Sequence, residues 1–400
     1  MHDIVPRLAV DASTKIVLVV MDGLGGFRSD ERGSELHAAR TPNLDRLAAE
    51  GSSGLQHPVG PGITPGSGAG HLALFGYDPL VHELGRGALS AAGVGFELKP
   101  GDVAARVNFC TLDPAGLVVD RRAGRLSTEE NERLCKLIRT SLDLGGRAEA
   151  FLVTERDHRA LLVLRGEGGL SPRIADTDPQ VAGVPPYEPR ALAPEAEHTA
   201  ALLKDLLEQV RGALHGEFAN FILLRGFDTL RELPSFSARY RLRALGVAGY
   251  PMYVGIARLL GMDATEVGTQ FDEVVASAEN AWGRYDFFFL HHKATDSAGE
   301  DGDFDRKVAA IEGVDAQLSR IAALEPEVIC VTGDHATPSQ LRAHSWHPVP
   351  FVMRGPNVGI DAVSTFDEEA AMAGGLGSRL GKELIGLMLA AAGRLAKYGA

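Results

Sequence analysis

Four apolar runs, each followed directly by polar residues, limit the possible folds of this chain more than any other feature. They are KIVLVVM at 15–21, DFFFL at 286–290, VICVT at 328–332 and VPFVM at 349–353. Continuous runs of this length, rich in Val, Ile and Phe, are typical of strands buried on both faces of a sheet. Helical patterns lie between or beside them, at 42–48, 250–260, 304–324 and 378–398. The alternation predicts an α/β fold with a mostly parallel sheet flanked by helices.

The middle of the chain has a different pattern. Short strands are indicated at 98–117, 148–153, 160–164 and 218–224, a polar helix at 195–214, and a Pro-rich loop or hinge at 182–189. We therefore predict that residues 87–234 form an inserted, smaller α+β domain. Residues 1–86 and 235–400 are predicted to form one discontinuous domain that carries the large sheet.

The charge and cysteine content exclude several classes of function. Lys and Arg number 40 against 53 Asp and Glu, a formal net charge of −13, and aromatic residues make up 6%. Nucleic acids and anionic membranes favour a basic face, so neither is expected as a partner. No targeting segment or membrane span is evident. The three cysteines, Cys110, Cys135 and Cys330, are odd in number and far apart, which favours a reducing cytoplasm over a disulfide framework.

Side chains that bind divalent metal ions follow or precede the predicted strands. Taken singly, an aspartate after a strand is usually a turn or N-cap residue, and a histidine is usually a hydrogen-bonded polar group. Their joint placement favours metal binding, because the ends of parallel strands meet at one edge of a sheet. Carboxylates and imidazoles without cysteine suit Mn²⁺ or Zn²⁺, with Mg²⁺ also possible, and there are enough for two ions. The candidates are Asp22, Asp296, Glu300, Asp334, His335 and His344.

Ser67 lies in a Gly-flanked segment, TPGSGAGH at 64–71, that opens into an apolar helical stretch. Taken alone, it is a simple helix-capping serine in a flexible turn. At a helix N-terminus it could instead lie where backbone N–H groups and the helix dipole favour a phosphate. A metal ion beside the hydroxyl would make it an alkoxide nucleophile near neutral pH.

An ordered set of motifs resembles the alkaline phosphatase superfamily, and within it the archaeal-type 2,3-bisphosphoglycerate-independent phosphoglycerate mutases. The motifs run from residue 21 to residue 399 and are specific as a set. They include DGLGG at 22–26, TPNLDRLA at 41–48, PGSGAGHLALFGYDP at 65–79, KPGDVAARVNF at 99–109, VDRRAGR at 119–125, HHKATD at 291–296, DHATP at 334–338 and HSWHPVPF at 344–351. The resemblance implies an alkaline-phosphatase-like fold.

The resemblance also implies a role for each candidate residue. Ser67 corresponds to the serine that the family phosphorylates. One metal site corresponds to Asp22, Ser67, Asp334 and His335, and the other to Asp296, Glu300 and His344.

Position 300 departs from the family pattern, which has HIKATDEAGHDGD where this chain has HHKATDSAGEDGD at 291–303. Glutamate in place of histidine still binds a divalent ion, but it adds negative charge and favours a harder metal, Mn²⁺ over Zn²⁺. If Glu300 does not bind the ion, His291, His292 or Asp301 could replace it.

The implied activity is interconversion of 2-phosphoglycerate and 3-phosphoglycerate through a phosphoserine, an isomerase step of glycolysis and gluconeogenesis. Arginine forks suit both the carboxylate and the phosphate of this substrate. The candidate substrate-binding residues are Arg121, Arg122, His158, Arg159, Arg225 and Lys293. The alternatives are a metal-dependent phosphohydrolase or another phosphomutase on the same core, and, from another class, a non-catalytic binding protein.

Overall fold

The apolar runs form the strands at the centre of the larger of two sheets. The computed structural model describes residues 4–28 and 31–399. In chain order its strands are β1 (Ile16–Met21), β2 (Ser52–His57), β3 (Val103–Leu112), β4 (Val118–Asp120), β5 (Glu149–Arg156), β6 (Arg159–Arg165), β7 (Phe221–Asp228), β8 (Ala244–Ala248), β9 (Asp263–Glu266), β10 (Phe287–His292), β11 (Val328–Thr332), β12 (Val349–Arg354) and β13 (Gly377–Leu380).

The helices include those predicted at 42–48, 195–214, 250–260 and 304–324, together with several that the sequence patterns do not predict. They are α1 (Val5–Leu8), α2 (Glu35–Ala38), α3 (Pro42–Ala49), α4 (Ser67–Leu74), α5 (Arg86–Gly93), α6 (Thr128–Ser141), α7 (Glu197–Ala213), α8 (Phe236–Tyr240), α9 (Pro251–Leu259), α10 (Phe271–Ala281), α11 (Ala294–Asp301), α12 (Phe304–Ala323), α13 (Glu368–Met372) and α14 (Leu384–Ala391). No helix in the described ranges is long and apolar enough to cross a membrane.

The prediction of one helix over 378–398 is wrong. Its first residues form the edge strand β13, which pairs with β2, and a short 3₁₀ turn leads into α14. The apolar residues that suggested a long helix are confined to α14, where Leu384, Ile385, Met388 and Leu389 are buried. A free sheet edge beside β2 offers the preceding residues backbone hydrogen bonds, which outweigh a weak helical pattern.

Met1–Glu83 and Leu233–Ala400 make up one unit, unit 1, and Leu84–Glu232 make up the other, unit 2. Unit 1 holds the eight-stranded sheet, in the order β13-β2-β12-β11-β1-β10-β8-β9. The strands β11, β1, β10, β8 and β9 run parallel. All six residues of β1 are buried, as expected for a central strand covered on both faces.

Strand β12 runs in the opposite direction to its two neighbours in the sheet. It is antiparallel to β11 and to β2, with Cys330 opposite Met353. Its first residue therefore lies at the edge of the sheet where β1, β10 and β11 end. This reversal brings the segment before β12, with His344, to the edge that carries Asp22 and Asp334.

Unit 2 is an α+β unit with an antiparallel five-stranded sheet. β3 lies at its centre and pairs with β4, β6 and β7, while β5 pairs with β6. Helices α6 and α7 pack on this sheet and share its apolar core, with Leu134, Ile138, Leu203 and Leu206 among the buried residues. The α6 helix was not predicted from the sequence.

We expect Phe289→Ala to destabilise unit 1 by about 3–5 kcal/mol, because it leaves a cavity in the centre of the sheet. Phe289 is fully buried, and its ring centroid lies 5.0 Å from that of Phe75. Urea unfolding followed by circular dichroism measures the loss. Phe218, which is 67% exposed, provides the matched control, and Phe218→Ala should change the free energy of unfolding by less than about 0.5 kcal/mol. Equal effects of the two substitutions would contradict the assignment of Phe289 to the core.

Candidate active site

The C-terminal ends of β1, β10 and β11 bring acidic side chains to one edge of the unit 1 sheet. Met21 pairs with His292 and Val20 with Thr332, so the residues that follow these strands emerge side by side. Asp22, Asp296 and Asp334 lie there, all buried. The hydroxyl of Thr295 donates to the backbone carbonyl of Asp22, and the Gly23 amide donates to Asp334 Oδ1 at 3.1 Å.

Asp22, Asp334 and His335 form the first group of potential metal ligands. One ligand atom from each lies within 4.8 Å of the others, and all three residues are buried. His335 Nε2 lies 3.2 Å from Asp22 Oδ1 and 3.3 Å from Asp334 Oδ2. Neither of these two buried oxygens forms a hydrogen bond with any described residue. A divalent cation would satisfy both oxygens, so the residues fit the implied metal.

Asp296, His335 and His344 form the second group, so His335 belongs to both. The His344 ring stacks on that of His335 with centroids 3.7 Å apart, and its Nε2 lies 3.6 Å from Asp296 Oδ1. Its Nδ1 bonds to the carbonyl of Pro65 at 3.0 Å, which leaves Nε2 to face the group.

Glu300 is at the margin of the second group. Its Oε1 lies 4.0 Å from His344 Nε2, and its side chain is 40% exposed. The three alternatives to Glu300 lie elsewhere. His291 contacts Asp22 in the first group, His292 packs against Phe271, and Asp301 is paired with Arg306.

Ser67 is the first residue of α4, as its Gly-flanked segment suggests. Its Oγ lies 3.2 Å from His335 Nε2, which places the hydroxyl beside the first group. Helix α4 approaches the β11 end so closely that a Cβ on Gly70 would lie 2.2 Å from the Asp334 carbonyl oxygen. Only glycine fits there, and this contact fixes the start of the helix against the acidic edge.

Lys293 offsets part of the negative charge. Its Nζ lies 3.2 Å from Asp22 Oδ2 and 2.5 Å from Asp296 Oδ2. Burial alone would lower the pKa of Lys293, but the neighbouring carboxylates hold it well above its usual value. Burial would likewise raise the pKa of Asp22, but Lys293 and the histidines hold it well below. In the same way, Asp334, Asp22 and Asp296 outweigh burial and raise the pKa of His335 to about 9.

Two further buried histidines contact the first group: His71, which the sequence does not indicate, and His291, which the sequence indicates only as an alternative to Glu300. His71 Nδ1 lies 2.8 Å from the Ser67 carbonyl and 3.2 Å from Asp334 Oδ2. His291 Nε2 lies 3.1 Å from Asp22 Oδ2. The spacing of His71 four residues after Ser67 on one helix face is the signal that could have indicated its role.

Unit 2 carries a cluster of arginines around His158. His158 is buried after β5, and burial together with Arg159, Arg122 and Arg106 lowers its pKa to about 3. Burial, Arg225 and Arg106 likewise lower the pKa of Arg86 to about 10. Arg122, His158, Arg159 and Arg225, four of the predicted substrate residues, therefore lie close enough to affect one another, together with Arg86 and Arg106, which the sequence also offers as candidate substrate arginines.

Arg121, the remaining predicted substrate residue of unit 2, forms two hydrogen bonds with buried Asp178, at 2.9 and 2.7 Å. The same carboxylate lies 3.5 Å from Arg225 Nε, so Asp178 holds both guanidinium groups. Arg106 is held in turn by Glu155 at 3.1 Å and by Ser90 at 3.1 Å.

Comparison with known proteins gives one consistent result. A family model described as 2,3-bisphosphoglycerate-independent phosphoglycerate mutase matches residues 48–220. Proteins named as probable members are 48% identical in Thermus thermophilus, over 99% of each chain, and 46% identical in Deinococcus radiodurans, over 100% of this chain and 99% of the relative.

Two solved structures extend the similarity to the fold. One, of a Pyrococcus horikoshii protein, is 30% identical with a TM-score of 0.83 and covers 97% of this chain and 99% of its own. The other, a cofactor-independent phosphoglycerate mutase from Thermoplasma acidophilum, is 33% identical with a TM-score of 0.67 and covers 95% of this chain and 100% of its own.

The low pKa of His158 predicts a pH dependence of stability. Between pH 3 and pH 6.5 the unfolded chain binds a proton at His158 that the folded chain does not, so the free energy of unfolding decreases as the pH falls. We expect His158→Gln to reduce this slope by up to about 1.4 kcal/mol per pH unit. Urea unfolding at pH 4 to 7 measures it. Exposed His198 serves as the control, and His198→Gln should retain the wild-type slope. A wild-type slope in His158→Gln would refute the prediction.

Proposed function

The chain belongs to the family of 2,3-bisphosphoglycerate-independent phosphoglycerate mutases and interconverts 2-phosphoglycerate and 3-phosphoglycerate, and we propose that Ser67 carries the phosphoryl group between the two hydroxyls. The observation that supports this role is the position of Ser67 Oγ, 3.2 Å from His335 Nε2 and at the first residue of α4. The helix N-terminus presents backbone N–H groups and a positive dipole end to a bound phosphate.

Two divalent metal ions are part of the proposal. Asp22, Asp334 and His335 would hold one together with Ser67, and Asp296, Glu300 and His344 would hold the other. When bound, such ions stabilise the attacking and leaving oxygens of an in-line phosphoryl transfer and favour the serine alkoxide. Oxygen donors outnumber nitrogen donors in this set, which favours Mn²⁺ over Zn²⁺, with Mg²⁺ possible.

Ser67 and Lys293 act in the phosphoryl transfer itself. The Ser67 hydroxyl gives up its proton and Oγ attacks the phosphorus of phosphoglycerate; the bond from phosphorus to the glycerate oxygen breaks, and that oxygen takes up a proton. The other glycerate hydroxyl then gives up its proton and attacks the phosphoserine; the bond from phosphorus to Ser67 Oγ breaks, and Oγ takes up a proton, which restores Ser67. Lys293 stays protonated beside Asp22 and Asp296, and its cationic Nζ is placed to bind a phosphate oxygen.

Unit 2 is proposed as the inserted substrate-binding domain. Arg122, Arg159 and Arg225 supply cationic donors for the substrate carboxylate and phosphate, and Arg121 contributes through its pairing with Asp178. His158, neutral above about pH 3, adds a hydrogen-bonding group that does not repel the arginines. The three cysteines are buried and free, in keeping with a place in the reducing cytoplasm, where glycolysis proceeds.

Product analysis separates the mutase from a phosphohydrolase on the same core. With 3-phosphoglycerate as substrate we expect 2-phosphoglycerate and no stoichiometric phosphate, followed by ³¹P NMR. Ser67→Ala should lower kcat by at least about 10⁴-fold, because the nucleophile is lost. Ser319→Ala, an exposed hydroxyl on α12, is the matched control and should keep full activity. Stoichiometric phosphate release would overturn the mutase activity, and an active Ser67→Ala variant would overturn the phosphoserine.

Metal preference tests the assignment of Glu300. Chelator-treated protein should be inactive, and Mn²⁺ should restore activity better than Zn²⁺. Glu300→His should shift the ratio of Mn²⁺ to Zn²⁺ affinity toward Zn²⁺ by roughly tenfold, because a softer neutral ligand replaces a carboxylate. Asp301→His, at the neighbouring residue that pairs with Arg306, should leave the ratio unchanged. Competitive binding of the two metals measures it, and identical ratios in both variants would remove Glu300 from the ligand set.

A further inference from the structure

Thr337 lies between the two ligand groups and contacts both. It is fully buried in the loop after β11. Its hydroxyl donates to Asp296 Oδ1 at 2.6 Å, and its oxygen lies 3.0 Å from His335 Nδ1. A hydroxyl has one proton to donate, so Thr337 Oγ1 accepts from His335 Nδ1–H. In the neutral imidazole, the form that binds a metal ion, that bond keeps the proton on Nδ1 and leaves the lone pair on Nε2.

The fixed tautomer matters because Nε2 is the atom that faces the first group. It points to Asp22 Oδ1 and Asp334 Oδ2, at 3.2 and 3.3 Å. The packing leaves no freedom around this hydroxyl, since a Cβ on Gly23 would lie 2.6 Å from Thr337 Oγ1 and 2.9 Å from Asp296 Oδ1. One hydroxyl thus orients a ligand of each group.

Lys307 forms a hydrogen bond with the backbone carbonyl of Thr337. It is fully buried in α12, and its Nζ donates to the Thr337 carbonyl at 2.8 Å and to the Gly25 carbonyl at 3.2 Å. Glu35 Oε2 lies 3.7 Å from this ammonium, and Glu35 Oε1 accepts from the Ser339 amide at 2.7 Å. A buried lysine is costly unless it is paired and hydrogen-bonded, and these contacts join the loop after Asp22 to the loop after His335.

We propose that Thr337 and Lys307 are positioning residues that couple the two metal sites. Thr337 fixes the His335 tautomer and links that ring to Asp296, and Lys307 holds Thr337 against the loop that follows β1. The inference rests on the proposed metal sites, and it adds that the two ions bind as a coupled pair. Loss of the Thr337 hydroxyl releases a ligand of each group at once, so both sites should weaken together.

The test is Mn²⁺ binding to chelator-treated full-length protein, measured by titration calorimetry. We expect Thr337→Val to weaken binding of both ions about 10- to 100-fold, the usual effect of losing a group that orients a ligand. Thr337→Ser keeps the hydroxyl and should restore near wild-type binding. Thr199→Val is the matched control, because Thr199 is also fully buried and its hydroxyl accepts a hydrogen bond from the Ser171 amide in unit 2. Thr199→Val should bind both ions as the wild type does.

Lys307→Met tests the role of Lys307, the second positioning residue. We expect it to weaken binding of both ions, and the double variant with Thr337→Val should be little worse than Thr337→Val alone, since both act through one residue. Additive effects would overturn the role of Lys307. If Lys307→Met does not fold, the comparison of Thr337→Val with Thr337→Ser still decides the role of Thr337.

Two results would overturn the coupling: wild-type affinity of both ions in Thr337→Val, or a loss confined to one ion. Both leave the proposed function intact, because the wild-type protein still binds its metals and turns over 3-phosphoglycerate. A wild-type protein that binds no Mn²⁺ at all would instead overturn the proposed metal sites, and the coupling with them.

Discussion

Three buried carboxylates lie close together in unit 1, and the arrangement of the residues around them depends on how their charge is balanced. Asp22, Asp296 and Asp334 repel one another, and taking each out of water costs several kcal/mol unless it is paired. Lys293 offsets part of this charge through its contacts with Asp22 and Asp296. His335 lies beside all three, and two of the carboxylate oxygens near its Nε2 form no hydrogen bond with any described residue. Such an arrangement needs a rigid frame and positive charge beside the carboxylates.

The sheet forms that frame because it contains both parallel strands and an antiparallel strand. Parallel β1, β10 and β11 deliver the aspartates from their C-terminal ends, and antiparallel β12 delivers His344 from the segment that precedes it. The close contact at Gly70 then fixes α4 and Ser67 against the same edge. Side chains from five separate parts of the sequence thus meet at one edge, most of them directly after a strand or at the start of a helix, and His344 from the connection between β11 and β12.

The sequence was sufficient for the parts of this design that local pattern controls. The apolar runs predicted the four central strands, and the polar residues after them predicted Asp22, Asp334 and His335. The direction of β12 was not predictable, because an apolar run of this kind looks the same in either direction. His71 and Thr337 were missed, and His291 was named for the second group rather than the first, because their contacts with the aspartates join residues distant in sequence and leave no periodic signal. The same holds for Asp178, whose pairing with Arg121 joins two segments 57 residues apart.

Position 300 differs from the rest of the second group in its exposure to solvent. The ligand atoms of Asp296, His335 and His344 lie within 4.8 Å of one another, and Glu300 is not needed to bring them together. Glu300 stands at the end of α11 with 40% of its side chain exposed, so its charge is partly solvated and its replacement disturbs no packing. A change of side chain there would alter the charge beside the second group without moving the frame. By contrast, a change at Thr337, which is fully buried between both groups, would alter the orientation of ligands in each.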